Sequence, residues 1–270
     1  MTKIYYFSGT GNSLWSAKKI AQIIKDSAAD ESVELYNIGE EMQKNEILVE
    51  ADAVIIVFPS YAFGLPLVVK HFAMKAEFKA LNSQGLYLAA FVTYGSLPLG
   101  TLGILRHFLK KKGIAKMFFG KIPAVENYLA MFGTPKQKTI ERRCSLQHKA
   151  TEQAARDVIE RRVNRVNTFC PFSVFVVSLF YLGLKIFFKY YRLGSNCNGC
   201  AICSKICPVS AVAMKDGYPV FSSKCENCQG CVNNCPQRAI QFGRVKFGTS
   251  GYRHPEIKVT ELMKQLPDAI

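Results

Sequence analysis

The sequence predicts an α/β protein: an open, doubly wound sheet of five parallel strands, followed by a small cysteine-rich α+β unit. Three observations carry this. Strand-like apolar runs alternate with helix-like segments over residues 1 to about 125. Two of the runs, AVIIVFP and LYLAAFVTYG, are almost continuously apolar, as strands covered on both faces are. Of the ten cysteines, all but Cys144 and Cys170 fall between Cys197 and Cys235.

Taken in order, KIYYFS is a short apolar strand and LWSAKKIAQII spaces its apolar side chains as a helix does. VELYNI, AVIIVFP and LYLAAFVTYG are the next strands. LGILRHFLKKKG closes in lysines and a glycine, as a helix C-terminus does, and MFFGKIPAV is the fifth strand. The charged stretch from Lys136 to Arg165 reads as one long final helix. No charge then occurs between Arg165 and Lys185. The expected units are a sheet domain over 1–165, an apolar helical linker over 166–195, a cysteine domain over 196–245 and a tail over 246–270.

The formal net charge is +15, which favours acidic redox partner proteins or an anionic membrane face. No nucleic-acid-binding motif is visible, so nucleic acid is not an expected partner. The first residues run straight into a strand with no secretory pattern, so a reducing cytoplasm is expected and clustered thiols read as metal ligands.

The cysteine block is an internal repeat. CNGCAICSKICPVSAVAM from Cys197 and CENCQGCVNNCPQRAIQF from Cys225 lie 225 − 197 = 28 residues apart, and both read C-x2-C-x2-C-x3-C-P. A [4Fe–4S] cube wants one thiolate at each iron, and C-x2-C-x2-C lets a short loop supply three. The fourth cysteine points elsewhere and, in a duplicated unit, reaches the other cube. One cluster would take Cys197, Cys200, Cys203 and Cys235; the other, Cys225, Cys228, Cys231 and Cys207. Tetrahedral zinc would use two cysteine pairs and leave the rest idle. The block resembles the bacterial two-cluster ferredoxins at all eight ligand positions. Cys144 and Cys170 read as ordinary cysteines.

Residues 8–13, SGTGNS, sit between the first strand and the first helix, where free backbone N–H groups suit a phosphate. A P-loop would need a Gly-Lys-Ser/Thr ending, and the dinucleotide fingerprint a third glycine where Leu14 stands. The loop Ser8, Gly9, Thr10, Gly11, Asn12, Ser13 resembles that of the flavodoxins, which binds the FMN phosphate. The resemblance covers residues 1 to about 160 and implies a flavodoxin-like sheet. It also implies two ring-binding loops, Pro59, Ser60, Tyr61, Ala62, Phe63, Gly64 and Thr93, Tyr94, Gly95, Ser96. Tyr61, Phe63 and Tyr94 would flank the isoalloxazine, with none singled out to stack on it. The acidic surface typical of flavodoxins is absent. Together the two halves resemble the EFR1-type ferredoxins.

The expected function is electron transfer between one FMN and two [4Fe–4S] clusters in a single chain, with no catalytic acid, base or nucleophile. The alternatives are a flavin-dependent oxidoreductase reducing a small acceptor such as a quinone, and a redox-sensing binding module. The uncharged stretch is read first as a helical packing segment and second as a peripheral membrane contact through 166–192. A membrane span would put flavin and clusters on opposite sides of a bilayer.

Overall fold

A computed structural model describes residues 1–28, 30–83, 85–166 and 170–263. Its first part alternates strand and helix: β1 Thr2–Tyr6, α1 Asn12–Ser27, β2 Val33–Asn37, α2 Ile38–Glu41, β3 Leu48–Ala51, β4 Ala53–Pro59, α3 Leu67–Lys75, β5 Glu77–Ala80, β6 Tyr87–Tyr94, α4 Thr101–Lys111 and β7 Lys116–Pro123. Five of these strands form one parallel sheet in the order β2-β1-β4-β6-β7. Counted along the sheet's own strands this is 2-1-3-4-5, the flavodoxin-like order.

Alternation along each strand sorts the core into two layers. Val54, Ile56 and Phe58 of β4, with Leu88, Ala90 and Val92 of β6, face α3 and α4. Ala53, Ile55 and Val57, with Tyr87, Ala89 and Phe91, face α1 and the long helix α6. Two helices follow β7, the short α5 Leu129–Phe132 and then the long α6 Gln137–Ile159.

Helix α6 ends six residues before the expected Arg165. Arg161 takes a left-handed φ of 49°, a conformation that breaks an α-helix in any non-glycine residue. The parallel pair β3–β5, Leu48–Ala51 with Glu77–Ala80, was not expected.

The apolar stretch forms α7 Pro171–Phe187, with Pro171 in its first turn, a position that needs no N–H. Residues 167–169 of the predicted linker lie outside the described residues. The cysteine block follows: β8 Tyr191–Leu193, α8 Ile202–Lys205, β9 Val212–Lys215, β10 Tyr218–Phe221, α9 Gly230–Asn234 and β11 Ile240–Phe242. β9 and β10 form a hairpin over Asp216 and Gly217, both at positive φ, the Asp-Gly chemistry of a two-residue turn. β11 pairs with β8, and a single turn, α10 Val259–Leu262, comes last.

Candidate functional site

A cavity of about 430 Å³ opens at the carboxyl ends of β1, β4, β6 and β7, where open α/β sheets bind ligands. Of the residues expected there, Ser8, Gly9, Thr10, Asn12, Ser13, Pro59, Ser60, Tyr61, Ala62, Phe63, Thr93, Tyr94, Gly95 and Ser96 line it. Gly11 and Gly64 do not. Gly11, at φ 96°, turns the chain into α1, and a methyl there would lie 3.1 Å from Ile257 Cβ. Gly64 is pressed beneath Val177 of α7.

No side chain caps the first turn of α1, so its N–H groups remain available to an anion. Ser8 Oγ accepts from Gly11 N at 3.1 Å, and Thr10 Oγ1 accepts from Asn127 Nδ2. Both hydroxyls keep a proton to donate. Ser13 is engaged otherwise: its Oγ lies 2.8 Å from Thr93 Oγ1. Asn12 is also committed, donating to Val125 O at 3.0 Å and accepting from Tyr252 at 2.8 Å. The lining holds no lysine or arginine. This donor set, an uncapped helix N-terminus with two hydroxyls, fits a phosphate monoester.

The second loop is a tight turn. Tyr61 and Gly64 exchange backbone hydrogen bonds of 3.0 and 2.9 Å across Ala62 and Phe63, whose φ angles are 47° and 62°. Two consecutive non-glycine residues in that region store strain, in contrast to the Asp-Gly turn of the cysteine block. Tyr61 sits edge-on between Phe7 and Phe180, with ring centroids 6.2 and 6.4 Å away. Burial pushes its phenol well above the usual range.

Several lining residues had not been singled out from the sequence. Ala124, Val125, Glu126, Asn127 and Tyr128 follow β7, and Gly95 must be glycine because Glu126 fills its Cβ position. The rule that placed the other loops at strand carboxyl ends reaches this one too, once β7 is counted. Leu97, Met131, Phe132 and the α7 residues Val176, Phe180 and Phe187 complete the wall, with Asn227 and Cys228 from the cysteine block.

The tail segment also reaches this site. His254 N donates to Thr10 O at 2.9 Å. Trp15 of α1 is stacked between His148 and His254, at 4.1 and 4.9 Å, and His148 Nε2 pairs with Glu256 Oε1 at 2.8 Å. Residues 252–257 thus strap the outer side of the loop of residues 8–13. Burial holds the His254 imidazole down at about 4.

The cysteine block keeps its repeat in three dimensions. Left-handed residues recur at the 28-residue offset: Gly199 and Asn227, Ala201 and Gln229, Ser210 and Arg238. So do two N–H···S bonds, Ala211 N to Cys207 Sγ at 3.1 Å and Ala239 N to Cys235 Sγ at 3.3 Å. Cys197, Cys200, Cys203 and Cys235 line one recess. Burial, with the neighbouring Cys235, Cys200 and Cys197 adding, pushes the Cys203 thiol up to about 11. The buried Cys231 thiol is raised chiefly by burial and then by the charges of Cys228, Cys225, Cys207 and Cys203. Among the described residues, no three His, Cys, Asp or Glu side chains form a group that could hold a metal ion. Cys200 is exposed, and Cys228 faces the cavity.

The block is locked onto the sheet domain through its second half. Glu226 accepts from Leu67 N and Val68 N, at the start of α3, at 2.8 and 2.7 Å. Its burial raises the carboxyl to about 7. A methyl on Gly9 would lie 3.2 Å from Cys228 Sγ, and one on Gly230 would lie 2.8 Å from Gly9 O. The loop of residues 8–13 and the second cysteine loop are in van der Waals contact.

No family model matches the chain, and no curated protein does. Among solved structures, an azoreductase from Bacillus anthracis Sterne aligns with 59% of this chain and 100% of its own, at 11% identity and TM-score 0.41. A flavodoxin from the domain Archaea aligns with 57% of this chain and 99% of its own, at 17% identity and TM-score 0.33. Megasphaera elsdenii flavodoxin aligns with 58% and 99%, at 19% identity and TM-score 0.33. By its own strand order and flanking helices, the first part of the chain is an α/β domain of flavodoxin-like fold.

Proposed function

We propose that the chain is an electron-transfer flavo-iron–sulfur protein, with FMN in the crevice and two [4Fe–4S] clusters in the cysteine block. The observation that carries this is the contact of Gly9 with Cys228, which brings the loop of residues 8–13 and the second cysteine loop to one cavity wall. FMN would exchange one or two electrons and each cluster one, linking two-electron to one-electron chemistry.

The protein's part is to hold and insulate. Ser8, Thr10 and the first turn of α1 would hold the phosphate, and the loops at Tyr61 and Gly95 the ring. Burial makes the thiols of Cys203, Cys225, Cys228 and Cys231 resist ionisation when bare, and a cationic centre would compensate them. A cube asks each thiolate to bind its own iron corner, so convergence on one point is not required. The three cysteines of each C-x2-C-x2-C run with the fourth cysteine of the other repeat would give the two ligand sets, as in the two-cluster ferredoxins and the EFR1-type fusion proteins. The second set adjoins the cavity and the first reaches the surface at Cys200. An acidic redox protein docking near Cys200 is the expected donor or acceptor, given the charge of +15.

Anaerobic purification with iron, sulfide and flavin quantified tests this: about eight irons, eight sulfides and one FMN per chain are expected. Colourless protein, or zinc among the thiols, overturns it. Cys203→Ser is expected to halve the iron. A second reading, direct reduction of a small acceptor such as a quinone, is favoured by the exposed Leu97, Met131 and Phe132 at the cavity. Steady turnover with a soluble quinone would select it.

A further inference from the structure

Among the described residues, helix α7 is fastened mainly along one side, with Phe172 at its start also meeting the Phe63 ring at 5.8 Å. Gly100 N donates to Ser173 Oγ at 2.9 Å, and the Tyr181 hydroxyl donates to Leu65 O at 2.8 Å. Val177 covers Gly64, Leu184 is buried, and Phe187 packs edge-on against Phe242 of β11. The opposite side presents Phe172, Phe175, Leu179, Leu182 and Ile186, with exposures of 57, 64, 55, 64 and 48%. Spaced by three and four residues, they form one stripe about 21 Å long. Single exposed apolar residues are ordinary, but a contiguous stripe of this size marks a contact surface.

We infer that this stripe beds the protein onto an anionic lipid surface, with α7 lying in the plane of the interface. By length and composition Pro171–Tyr190 would suffice to cross a membrane, with a mean hydropathy of 1.9. Its inner side argues against crossing. Ser173, Val177, Tyr181 and Leu184 are held by the crevice loops and core at every turn. Leaving them would strip the wall from the cavity.

Charge selects lipid as the occupant. No Asp or Glu occurs between Glu160 and Asp216. Lys185, Lys189 and Arg192 are exposed at the carboxyl end of the stripe. Long basic side chains beside an apolar helix face reach the phosphates of headgroups while the face sinks between acyl chains. Each basic residue adds attraction to an anionic leaflet and none to a neutral one. This inference is independent of what the cavity binds.

The test uses the full chain, purified anaerobically with whatever cofactors it carries, sedimented with phosphatidylcholine vesicles with and without phosphatidylglycerol. The protein is expected to co-sediment with the mixed vesicles and far less with the neutral ones. Leu179→Glu with Leu182→Glu is expected to weaken binding to mixed vesicles about tenfold or more. Lys185→Glu with Lys189→Glu is expected to abolish the preference for phosphatidylglycerol while leaving weak binding to both vesicle types. An unchanged circular dichroism spectrum shows that each variant is folded. The inference is overturned if the protein ignores both vesicle types, or if folded variants sediment like the parent. It is also overturned if the parent is a dimer in solution that Leu179→Glu converts to monomer, since the stripe would then join two copies.

Discussion

The sheet domain and the cysteine block hold their loops by different means. The sheet's crevice loops spring from strands of five to eight residues, sandwiched between two apolar layers that include the fully buried Phe58, Phe72 and Phe91. In the block the strands have three or four residues. Its buried cluster includes Cys203, Cys207, Cys225 and Cys231, the residues proposed to be ligands. One region owes its rigidity to hydrophobic burial. A unit of about 50 residues buries too little surface for that, so under the proposed function the other would draw its rigidity from bound clusters.

The sharpest way to break this contrast is to remove the iron that the proposed function requires. Chelation under reducing, oxygen-free conditions is expected to unfold the block cooperatively while the sheet persists. In hydrogen exchange, amides of α8, α9 and the β9–β10 hairpin would lose protection, and those of β4 and β6 would keep it. Equal protection in both regions would show that the block stands on its own core.

The converse change is Phe72→Ala. Phe72 is fully buried and tilts against Tyr5 at 4.9 Å, so its loss is expected to cost about 3–5 kcal/mol in the denaturant unfolding of the sheet. Iron per folded chain would stay unchanged.

Acid sharpens the comparison at the strap that joins the two regions. His254 is held at about 4 against an ordinary 6.5, so between those values the released strap binds a proton that the docked strap does not. Strap stability is thus full above pH 6.5 and falls as pH drops toward 4, by about 3 kcal/mol at most. Trp15, stacked on His254, reports release as a fluorescence change, and His254→Phe is expected to flatten the pH dependence.

The smallest expected effect is at the junction. Glu226→Gln removes one of two acceptors for Leu67 N and Val68 N, and is expected to cost about 1–2 kcal/mol. It should lower the melting temperature of the block more than that of the sheet.

Much of this was legible in sequence because it is local. The apolar runs of β4 and β6 name themselves, and the 28-residue cysteine repeat needs no fold to be seen. Asp216-Gly217 announces its hairpin, whereas Ala62-Phe63 adopts the same sign of φ with no turn chemistry and is held there by tertiary contacts. Four-residue strands such as Leu48–Ala51 and Glu77–Ala80 are too short to show a period. The end of α6 lies in a run of charged helix formers, where propensity favours continuation past Ile159. The strap of residues 252–257 was read as a tail because its partners, Thr10, Asn12 and Trp15, lie some 240 residues away.

That distance has a consequence for biosynthesis. A ribosome delivers the chain from its amino end, and domains fold in the order they emerge. The loop of residues 8–13 and the sheet are complete long before α7, Cys228 and His254 exist to cover them. A nascent chain therefore passes through a stage with an uncovered crevice, and residues 252–257 close over its rim only afterwards.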